Sequence, residues 1–548
     1  MKRSAVCCGI LLMGCAAAQA EVRVSNLFGD NMVLQRDMPA PVWGTADPGE
    51  AVTVTIGDAH ATAKADGRGE WSVNLPAMKA NAAPQDLVIR GRDNTLTVRN
   101  VLVGDVWLCS GQSNMEITFG YCNVTQDIAA AALPTVRCLR LAHTSRAAPS
   151  REVPGQWMTC TPSNAVDFSG VGFYFARRLH QETGLPIGLI QSAWGGTRIE
   201  AWIPPCGYEM ETSLPDYREE IKRRHQAYRA EVGKSLAAVE QWVADTRVAL
   251  ALPVDQLPTV GNLPALPISP IVNPGLHNYS YPAALYNGMI HPLVPFAIKG
   301  ILWYQGEANY GDGPEYYTKT RALVGGWRKL WNQPPSQSSG ASGPPPQGSG
   351  ESGGDVPFYF AQLPNFEKPN PNPAGGDGWA HLRMAQLRCM QMTNVGMAVT
   401  IDLGESNNIH PKNKRDVGER LARWALHNEY GRKDVAVSGP LYKSMTVENG
   451  KIRIRFDYVA GGLMVGKKEG AAPAVADDHG TLRQFAIAGD DGKWVWADAV
   501  IDGDAVVVSS PQVPRPAAVR YAYSWNPAGC NLYNKAGLPA SPFRTDDD

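Results

Sequence analysis

The chain has 548 residues, of which 44% are hydrophobic and 19% charged, so it has enough apolar material for folded cores and is not a wholly disordered polymer. Its 51 Lys and Arg residues nearly balance 52 Asp and Glu residues, and the net charge of -1 argues against nucleic acid or an anionic membrane surface as a partner. At roughly 150 residues per domain, the length excludes a single small domain.

The N-terminal segment 1–20 has the pattern of a secretory signal peptide. Lys2 and Arg3 precede an apolar run over 5–13, and Ala18-Gln19-Ala20 supplies the small residues of a cleavage site. The run is shorter than the ~20 residues that span a membrane, so we expect a periplasmic or secreted protein with no transmembrane helix. The segment 12–15 loosely resembles a lipoprotein box, which makes lipid anchoring the less favoured alternative.

Cysteine usage after the leader fits an oxidising compartment without defining a bridge. The remaining cysteines are Cys109, Cys122, Cys138, Cys160, Cys206, Cys389 and Cys530. Their odd number leaves at least one thiol free, and Cys122, Cys138 and Cys160 are close enough in sequence for a local disulfide of unfixed pairing. The sequence has no Cys-x-x-Cys pair and no His-Glu-x-x-His run, so we predict neither a metal nor a cofactor.

The first folded region, 21–103, has a β pattern. Short apolar or alternating runs at 51–56, 70–75, 86–89 and 95–98 are separated by Gly, Pro, Asp and Asn. The many glycines and prolines of the chain, 55 and 42, suit tight turns between short strands. We therefore predict an N-terminal domain that resembles a β-sandwich.

From 104 to 430 short buried strands alternate with amphipathic helices. The predicted strands are 106–109, 187–193, 298–304, 357–363 and 397–403, and the predicted helices are 168–182, 315–331, 380–392 and 412–427. In the last helix Val417, Leu421, Trp424 and Ala425 share one face, which we expect to be buried. This alternation predicts a mostly parallel sheet covered by helices on both sides, an α/β domain.

Two insertions, at about 208–280 and 334–355, interrupt the α/β pattern. The first contains a charged helical stretch over 208–251, interpreted as a solvated excursion, with a lid over the site as the alternative. The second is rich in Ser, Gly and Pro, which predicts a disordered surface loop. Alternating runs at 451–456, 494–497, 505–508 and 518–523 then predict a β-rich C-terminal domain over 431–548.

Four polar segments follow predicted parallel strands: 110–115, 195–197, 305–307 and 406–410. The carboxyl ends of parallel strands share one edge of a sheet, so Ser113 and His410 are expected to meet there although nearly 300 residues separate them. A serine hydroxyl becomes a useful nucleophile when a base removes its proton, and histidine titrates near neutrality. His291 is a rival base, but no comparable strand precedes it, and we interpret it as structural.

The same segments supply candidate donors for an oxyanion. These are the backbone N–H groups of Ser113 and Gly195 and the carboxamide of Gln305. Met115 occupies the position of the second glycine in a Gly-x-Ser-x-Gly elbow, which argues against an ordinary α/β-hydrolase. Arg198 and Trp202 are candidates to face the carboxylate and the ring of an anionic sugar, because arginine pairs with carboxylates. The alternatives are an ordinary salt bridge for Arg198 and a core position for Trp202.

The sequences Ser-Gly-Gln-Ser-Asn-Met at 110–115, Trp-Gly-Gly-Thr at 194–197, Trp-Tyr-Gln-Gly-Glu at 303–307 and Ile-His-Pro at 409–411 resemble the blocks of SGNH-type sialate O-acetylesterases. The flanking β regions are similar too, so the resemblance covers nearly the whole mature chain. It implies a flavodoxin-like three-layer α/β domain and a metal-independent esterase that deacetylates sialic acids through an acetyl-enzyme. It also implies Ser113 as nucleophile, His410 as base, and oxyanion donors at Ser113, Gly195 and Gln305.

One position departs from the family pattern. SGNH enzymes commonly have aspartate three residues before the histidine, and here that residue is Asn407. Two alternatives stay open: a Ser-His dyad, or a substitute carboxylate from Glu405, Asp402 or Glu307, of which Glu307 is the more natural loop support. Two alternative functions also stay open, an acetylesterase for plant or other polysaccharides such as acetyl-xylan, and a non-catalytic carbohydrate-binding surface protein.

Overall fold

The computed structural model describes residues 21–122, 124–253, 279–331 and 355–546. The predicted signal peptide and almost all of the predicted loop over 334–355 lie outside the described residues. The protein is a mixed α/β molecule with several sheets. Within the described ranges, none of the helices combines the length and the apolar character that crossing a membrane requires.

The N-terminal region is built from strands, as the sequence predicts. They are β1 (Arg23–Val24), β2 (Val33–Gln35), β3 (Ala40–Thr45), β4 (Ala51–Ile56), β5 (Ala59–Lys64), β6 (Glu70–Leu75), β7 (Asn81–Arg90) and β8 (Thr95–Gly111). β1, β3 and β6 form a small antiparallel sheet, whereas β2, β4, β5 and β7 join the sheet that contains β8.

Strand β8 is 17 residues long and belongs to both the N-terminal and the central regions. Its first half pairs with β7 and β2, and its second half pairs with strands of the central sheet. The predicted boundary at 103/104 therefore falls inside a continuous strand. One apolar core also runs through both regions, from Val22 to Leu441.

The central region alternates strands and helices. In chain order these are α1 (Ser113–Glu116), α2 (Thr125–Ala129), β9 (Leu133–Leu141), β10 (Gly155–Cys160), α3 (Pro162–Ala165), α4 (Gly170–Thr183), β11 (Ile187–Ala193), α5 (Pro205–Met210), α6 (Pro215–Leu250), β12 (Gly300–Tyr304), α7 (Glu315–Trp331), β13 (Phe358–Ala361), α8 (Gly378–Arg388), β14 (Val395–Ala398) and α9 (Lys414–Glu429). Short 3-10 turns lie at Phe119–Cys122, Ile199–Ala201, His291–Leu293, Glu307–Asn309 and Cys389–Gln391, and a π turn at Tyr286–Ile290.

The central sheet has the order β10-β9-β11-β8-β12-β13-β14. All neighbours from β9 to β14 pair in parallel, and β10 alone of this path is antiparallel. The predicted parallel sheet is thus confirmed for the described residues, but the sequence analysis missed β9 and β10. The strand predicted at 397–403 is shorter and ends at Ala398, so the segment that carries His410 follows a turn rather than the strand itself.

The two helices that flank the site, α4 and α9, begin at capping residues, and α4 also ends at one. The Ser169 side chain accepts the Gly172 N–H at the start of α4, and Gly184 ends this helix with a φ of 69°. Asn413 caps α9 in the same way, by accepting the Asp416 N–H. The predicted buried face of α9 is confirmed, since all four of its predicted residues are buried.

The first insertion contains α6, a single helix of 36 residues that contacts α5. This confirms the helical stretch, while its function as a lid stays a prediction. The C-terminal region contains β15 (Leu441–Glu448), β16 (Lys451–Asp457), β17 (Leu463–Lys467), β18 (Val475–Ala476), β19 (Phe485–Ala488), β20 (Val495–Trp496), β21 (Asp498–Asp502), β22 (Ala505–Ser509), β23 (Ala518–Tyr521), β24 (Leu532–Asn534) and β25 (Phe543–Arg544). They form three sheets around a second core.

All seven cysteines of the described chain are free thiols. The local disulfide predicted among Cys122, Cys138 and Cys160 does not form. These three side chains are instead buried as apolar groups, and burial raises the pKa of the Cys160 thiol to about 12. Cysteine spacing in sequence did not reveal that each thiol packs separately into the core.

Candidate active site

Ser113 and His410 meet at the carboxyl edge of the central sheet. The distance between Ser113 Oγ and His410 Nε2 is 2.9 Å, and both side chains are half-buried. Ser113 is the first residue of α1, two residues after β8 ends. At Gly111 a Cβ would lie 2.2 Å from the Tyr304 carbonyl oxygen, so only glycine permits this close turn out of the strand. The neutral imidazole is therefore placed to accept the serine proton.

Within the described ranges, the second ring nitrogen of His410, Nδ1, makes no hydrogen bond and no ion pair with a carboxylate. The backbone N–H of His410 donates to Asn408 Oδ1. Burial, and secondarily the Lys414 cation, lower the pKa of His410 below its ordinary value. The ring is thus neutral, and able to act as a base, at neutral pH.

The three carboxylates considered as orienting acids are each engaged elsewhere. Asp402 forms a bidentate pair with Arg420, with N···O distances of 2.6 and 2.8 Å. Glu405 accepts the Lys412 N–H at 2.8 Å and the Asn408 amide at 3.0 Å. Glu307 accepts the Asn114 amide at 2.5 Å. Of the two alternatives left by the sequence, this geometry fits the dyad.

A buried polar chain lies directly beneath the nucleophile. Lys414 Nζ donates to Asn114 Oδ1 at 2.5 Å, and Asn114 Nδ2 donates to Glu307 and, at 3.0 Å, to the Ile409 carbonyl. All three side chains are buried; burial lowers the pKa of Lys414 to about 8 and raises that of Glu307. This hydrogen-bonded group therefore links Asn114, the residue after Ser113, to Ile409, the residue before His410.

The candidate oxyanion donors differ in what they contact. The Ser113 N–H has no acceptor among the described residues, because it opens a helix whose preceding residue provides no side-chain cap. The Gly195 N–H donates to Glu116 Oε2 at 2.6 Å. A Cβ on Gly195 would lie 3.2 Å from Ser113 Cβ and 3.2 Å from Glu116 Oε2, so this glycine separates the nucleophile from a carboxylate.

Gln305 is placed differently from the sequence expectation. Its Nε2 lies 2.7 Å from Asn309 Oδ1, 3.1 Å from Gln112 Oε1 and 3.2 Å from the Thr197 carbonyl, and its Oε1 accepts the Tyr316 hydroxyl. An amide nitrogen has two hydrogens, so both are used inside the protein. The carboxamide is completely buried and joins three of the loops at the sheet edge.

The expectation that Trp202 is a sugar platform is wrong. Its ring is fully buried, packs edge-on against Trp303, and donates its N–H to Thr197 Oγ1 at 3.0 Å. A core position therefore leaves no face for a ligand.

Two other sequence candidates also have interior contacts. Arg198 pairs with Glu200 and Asp312 at 3.0 and 2.8 Å, although its side chain remains 42% exposed. His291 donates Nδ1–H to the Ser150 carbonyl at 2.8 Å, which agrees with a structural role. The charge of Arg198 is therefore paired within the protein, and His291 is anchored through Nδ1 to a backbone carbonyl.

Sequence reasoning missed a group of side chains next to Gly195. His143 Nε2 lies 2.6 Å from Glu116 Oε1, and the His143 ring stacks on Trp194 with centroids 4.2 Å apart. Trp194 in turn stacks on the exposed Tyr279 at 5.1 Å. Glu116 is three residues after Ser113, one helical turn, which is the one signal in the sequence that it lies near the nucleophile. His143 follows a strand that was not predicted.

In the part of the chain that the structure describes, no cluster of three or more His, Cys, Asp or Glu side chains is suited to hold a metal ion. A serine hydroxyl held against an imidazole at a sheet edge is the arrangement of hydrolases that act through an activated nucleophile.

Comparison with known proteins agrees with this class. A family model for carbohydrate esterases, described as sialic acid-specific acetylesterase, matches residues 103–240. The chain is 34% identical to a carbohydrate acetylesterase from Xanthomonas citri, with a TM-score of 0.75 over 96% of this chain and 100% of that chain. It is 27% identical to the sialate O-acetylesterase of Homo sapiens and 28% identical to that of Mus musculus, over 97% and 95% of this chain and 94% of each relative.

The chain belongs to the carbohydrate acetylesterases and is a carboxylic ester hydrolase. The resemblance inferred from the four sequence motifs is thereby confirmed.

Proposed function

We propose that the protein hydrolyses O-acetyl esters of sialic acids, with Ser113 as nucleophile and His410 as general base. The observation that carries this proposal is the 2.9 Å contact between Ser113 Oγ and His410 Nε2. The substrate class is supported by the similarity to sialate O-acetylesterases over nearly the whole chain and by the family model that matches residues 103–240.

In the first half of the reaction His410 Nε2 accepts the Ser113 proton while Oγ attacks the acetyl carbonyl carbon. The tetrahedral intermediate collapses as the imidazolium protonates the departing sugar oxygen, which leaves an acetyl-serine. Water, deprotonated by the same imidazole, then attacks the acetyl carbonyl, and acetate leaves as Ser113 regains its proton. The lowered pKa of His410 keeps the base available near and below neutral pH.

The developing oxyanion is held by the Ser113 and Gly195 N–H groups. The Ser113 group is free to donate, whereas the Gly195 group must be released by Glu116 Oε2 when the substrate carbonyl enters. Each such donor typically lowers the barrier by about 3–4 kcal/mol. We assign Gln305 to bracing the loops around these donors, because its own hydrogens are already used.

His410 acts without a carboxylate partner, as a Ser-His dyad. The Asn114–Glu307–Lys414 chain replaces the orienting acid as the source of rigidity, because it fixes the two segments that carry the dyad. Glu307 acts as loop support within it.

We also infer that the central region is a flavodoxin-like SGNH-type layer structure. Of the six parallel strands, the five named β8, β11, β12, β13 and β14 have the spatial order 2-1-3-4-5 when numbered along the chain, which is the flavodoxin-like order, and β9 extends the sheet beyond β11. The flanking sheets would be its β-sandwich-like neighbours. The segment 1–20 would direct the protein to the periplasm or the exterior, where acetylated glycans are found.

The test compares acetate release by the wild type and by Ser113→Ala. We expect the wild type to deacetylate O-acetylated sialic acid and the variant to lose at least 10³-fold in kcat while remaining folded, because the nucleophile cannot be replaced. Retention of substantial activity in Ser113→Ala would falsify the nucleophile assignment.

The substrate is tested separately, on the wild type alone. The similarity to the Xanthomonas citri carbohydrate acetylesterase makes an acetylated polysaccharide the second candidate. A higher kcat/KM on acetyl-xylan than on acetylated sialic acid would select that alternative. Labelling of Ser113 by a serine-reactive phosphonate distinguishes both from a carbohydrate-binding protein without activity.

A further inference from the structure

A cavity of about 420 Å³ is lined by Glu116, which lies one helical turn after Ser113 and accepts the Gly195 N–H. It lies over the carboxyl ends of β9 and β11 and the first residues of β10, so it opens on the same sheet edge as the pair. Its volume is in the range of sites that hold a small ligand. Ligands of open α/β sheets bind at this edge, outside the carboxyl ends of the strands.

Glu116 connects the cavity with the site of chemistry. Its side chain lines the cavity, and its two carboxylate oxygens are held by the Gly195 N–H and by His143, each at 2.6 Å. The His143 ring stacks on Trp194, with the two ring planes nearly parallel at an angle of 6°, which helps to hold this wall in place. Glu116 and Gly195 therefore link the cavity wall to the nucleophile, since a Cβ on Gly195 would lie 3.2 Å from Ser113 Cβ.

Arg140 also lines the cavity. Of the described residues that line the cavity, it carries the permanent positive charge. Arg140 is the register partner of Gln191 in the neighbouring strand, so the two side chains lie on the same face of the sheet. The Gln191 amide donates to the Glu116 backbone carbonyl, which places Glu116 on that face as well. The Arg140 side chain is 45% exposed, and its contact with Asp167 is long, 3.9 Å, to a carboxylate that is itself 58% exposed. Such a surface pair contributes little and is easily exchanged.

We propose that this cavity is the sugar subsite and that Arg140 binds the carboxylate of the sialic acid while the acetyl group reaches Ser113 past Glu116. The inference rests on the proposed function and names the residue that selects a sialate over a neutral acetylated sugar. Arginine suits the task because its planar guanidinium donates two parallel hydrogen bonds to one carboxylate. Gln156, exposed on the cavity rim, is available to the sugar hydroxyls.

The test uses the ratio of kcat/KM for O-acetylated N-acetylneuraminic acid to that for its methyl ester, which has the same shape without the negative charge. For the wild type we expect a preference for the acid of about ten- to hundredfold, the usual value of a hydrogen bond to a charged group. For Arg140→Gln we expect this ratio to fall to about one, and for Arg140→Lys to an intermediate value, because lysine keeps the charge but not the bidentate geometry.

Because both substrates are measured on the same protein sample, the ratio is independent of how much of a variant is folded. Arg92→Gln is the matched control: Arg92 is a similarly exposed arginine, paired with acidic residues in the N-terminal region, and its loss should leave the wild-type ratio. A variant at Arg140 that keeps the full preference for the acid overturns the inference.

Failure of the proposed function gives a different result. In that case the wild type releases acetate from 4-nitrophenyl acetate but not from either sialic acid substrate. A wild type that deacetylates the acid and the methyl ester equally well overturns the carboxylate contact while leaving the esterase assignment intact.

Discussion

Glu405→Gln tests whether Glu405 is an orienting acid for His410. In the structure Glu405 Oε1 accepts the Lys412 N–H and Oε2 accepts the Asn408 amide, and neither oxygen contacts the imidazole. Glutamine keeps the first hydrogen bond and loses the second, which is worth about 0.5–1.5 kcal/mol. If all of that energy appeared in the barrier, kcat would fall by about two- to tenfold.

A working triad would respond very differently. Replacing its carboxylate by the isosteric amide costs about 10⁴-fold in kcat, because the ring then adopts the wrong tautomer. The assay is kcat for acetate release at saturating substrate and neutral pH. Glu419→Gln, which removes a half-buried carboxylate paired with Arg415 on α9, is the matched control. A loss near 10⁴-fold in Glu405→Gln but not in the control would refute the dyad.

Two further substitutions follow from the structure. Burial is the larger cause of the lowered His410 pKa, and the Lys414 cation is the second cause. Lys414→Met removes this cation, so the pKa of His410 should rise and the acidic limb of the kcat/KM profile should move to higher pH. An acidic limb that stays in place in a pH titration of this variant would contradict the electrostatic link. Trp202→Phe removes a buried indole and its hydrogen bond to Thr197, so urea unfolding should show a loss of about 1–3 kcal/mol. The KM for the acetylated sugar should not change, and an increased KM would restore Trp202 to the binding site.

The parts of the fold that sequence predicted well are those where local pattern and burial agree. The run at 187–193 and the helix at 315–331 have the bounds that the sequence predicts, because apolar periodicity there coincides with the core-facing side. β9 and β10 were missed because polar and charged residues interrupt their apolar runs; β10 is the edge strand of the central sheet and β9 is its neighbour. β8 was underestimated because its two halves looked like strands of separate domains.

At the site, the chain topology made the convergence of Ser113 and His410 predictable, whereas side-chain direction was not. Gln305 lies within the motif at 303–307 and Trp202 follows the motif at 194–197, but both side chains face the interior. The sequence does not specify which rotamer a loop residue takes. The buried Lys414 sits in the first turn of an amphipathic helix, a position that usually faces solvent. Its partner Asn114 is 300 positions away, so no local pattern joins them.

The shared strand β8 also has a mechanical consequence. Ser113 lies two residues beyond the C-terminal end of β8, and the N-terminal half of the same strand is hydrogen-bonded to the strands of the N-terminal region. The N-terminal sheet therefore cannot swing against the catalytic region without breaking a continuous ladder. A truncated chain that starts at residue 104 would lose the first half of β8 and the strands that pair with it. The remaining sheet would expose unpaired strand edges, which pair readily with other copies of the chain.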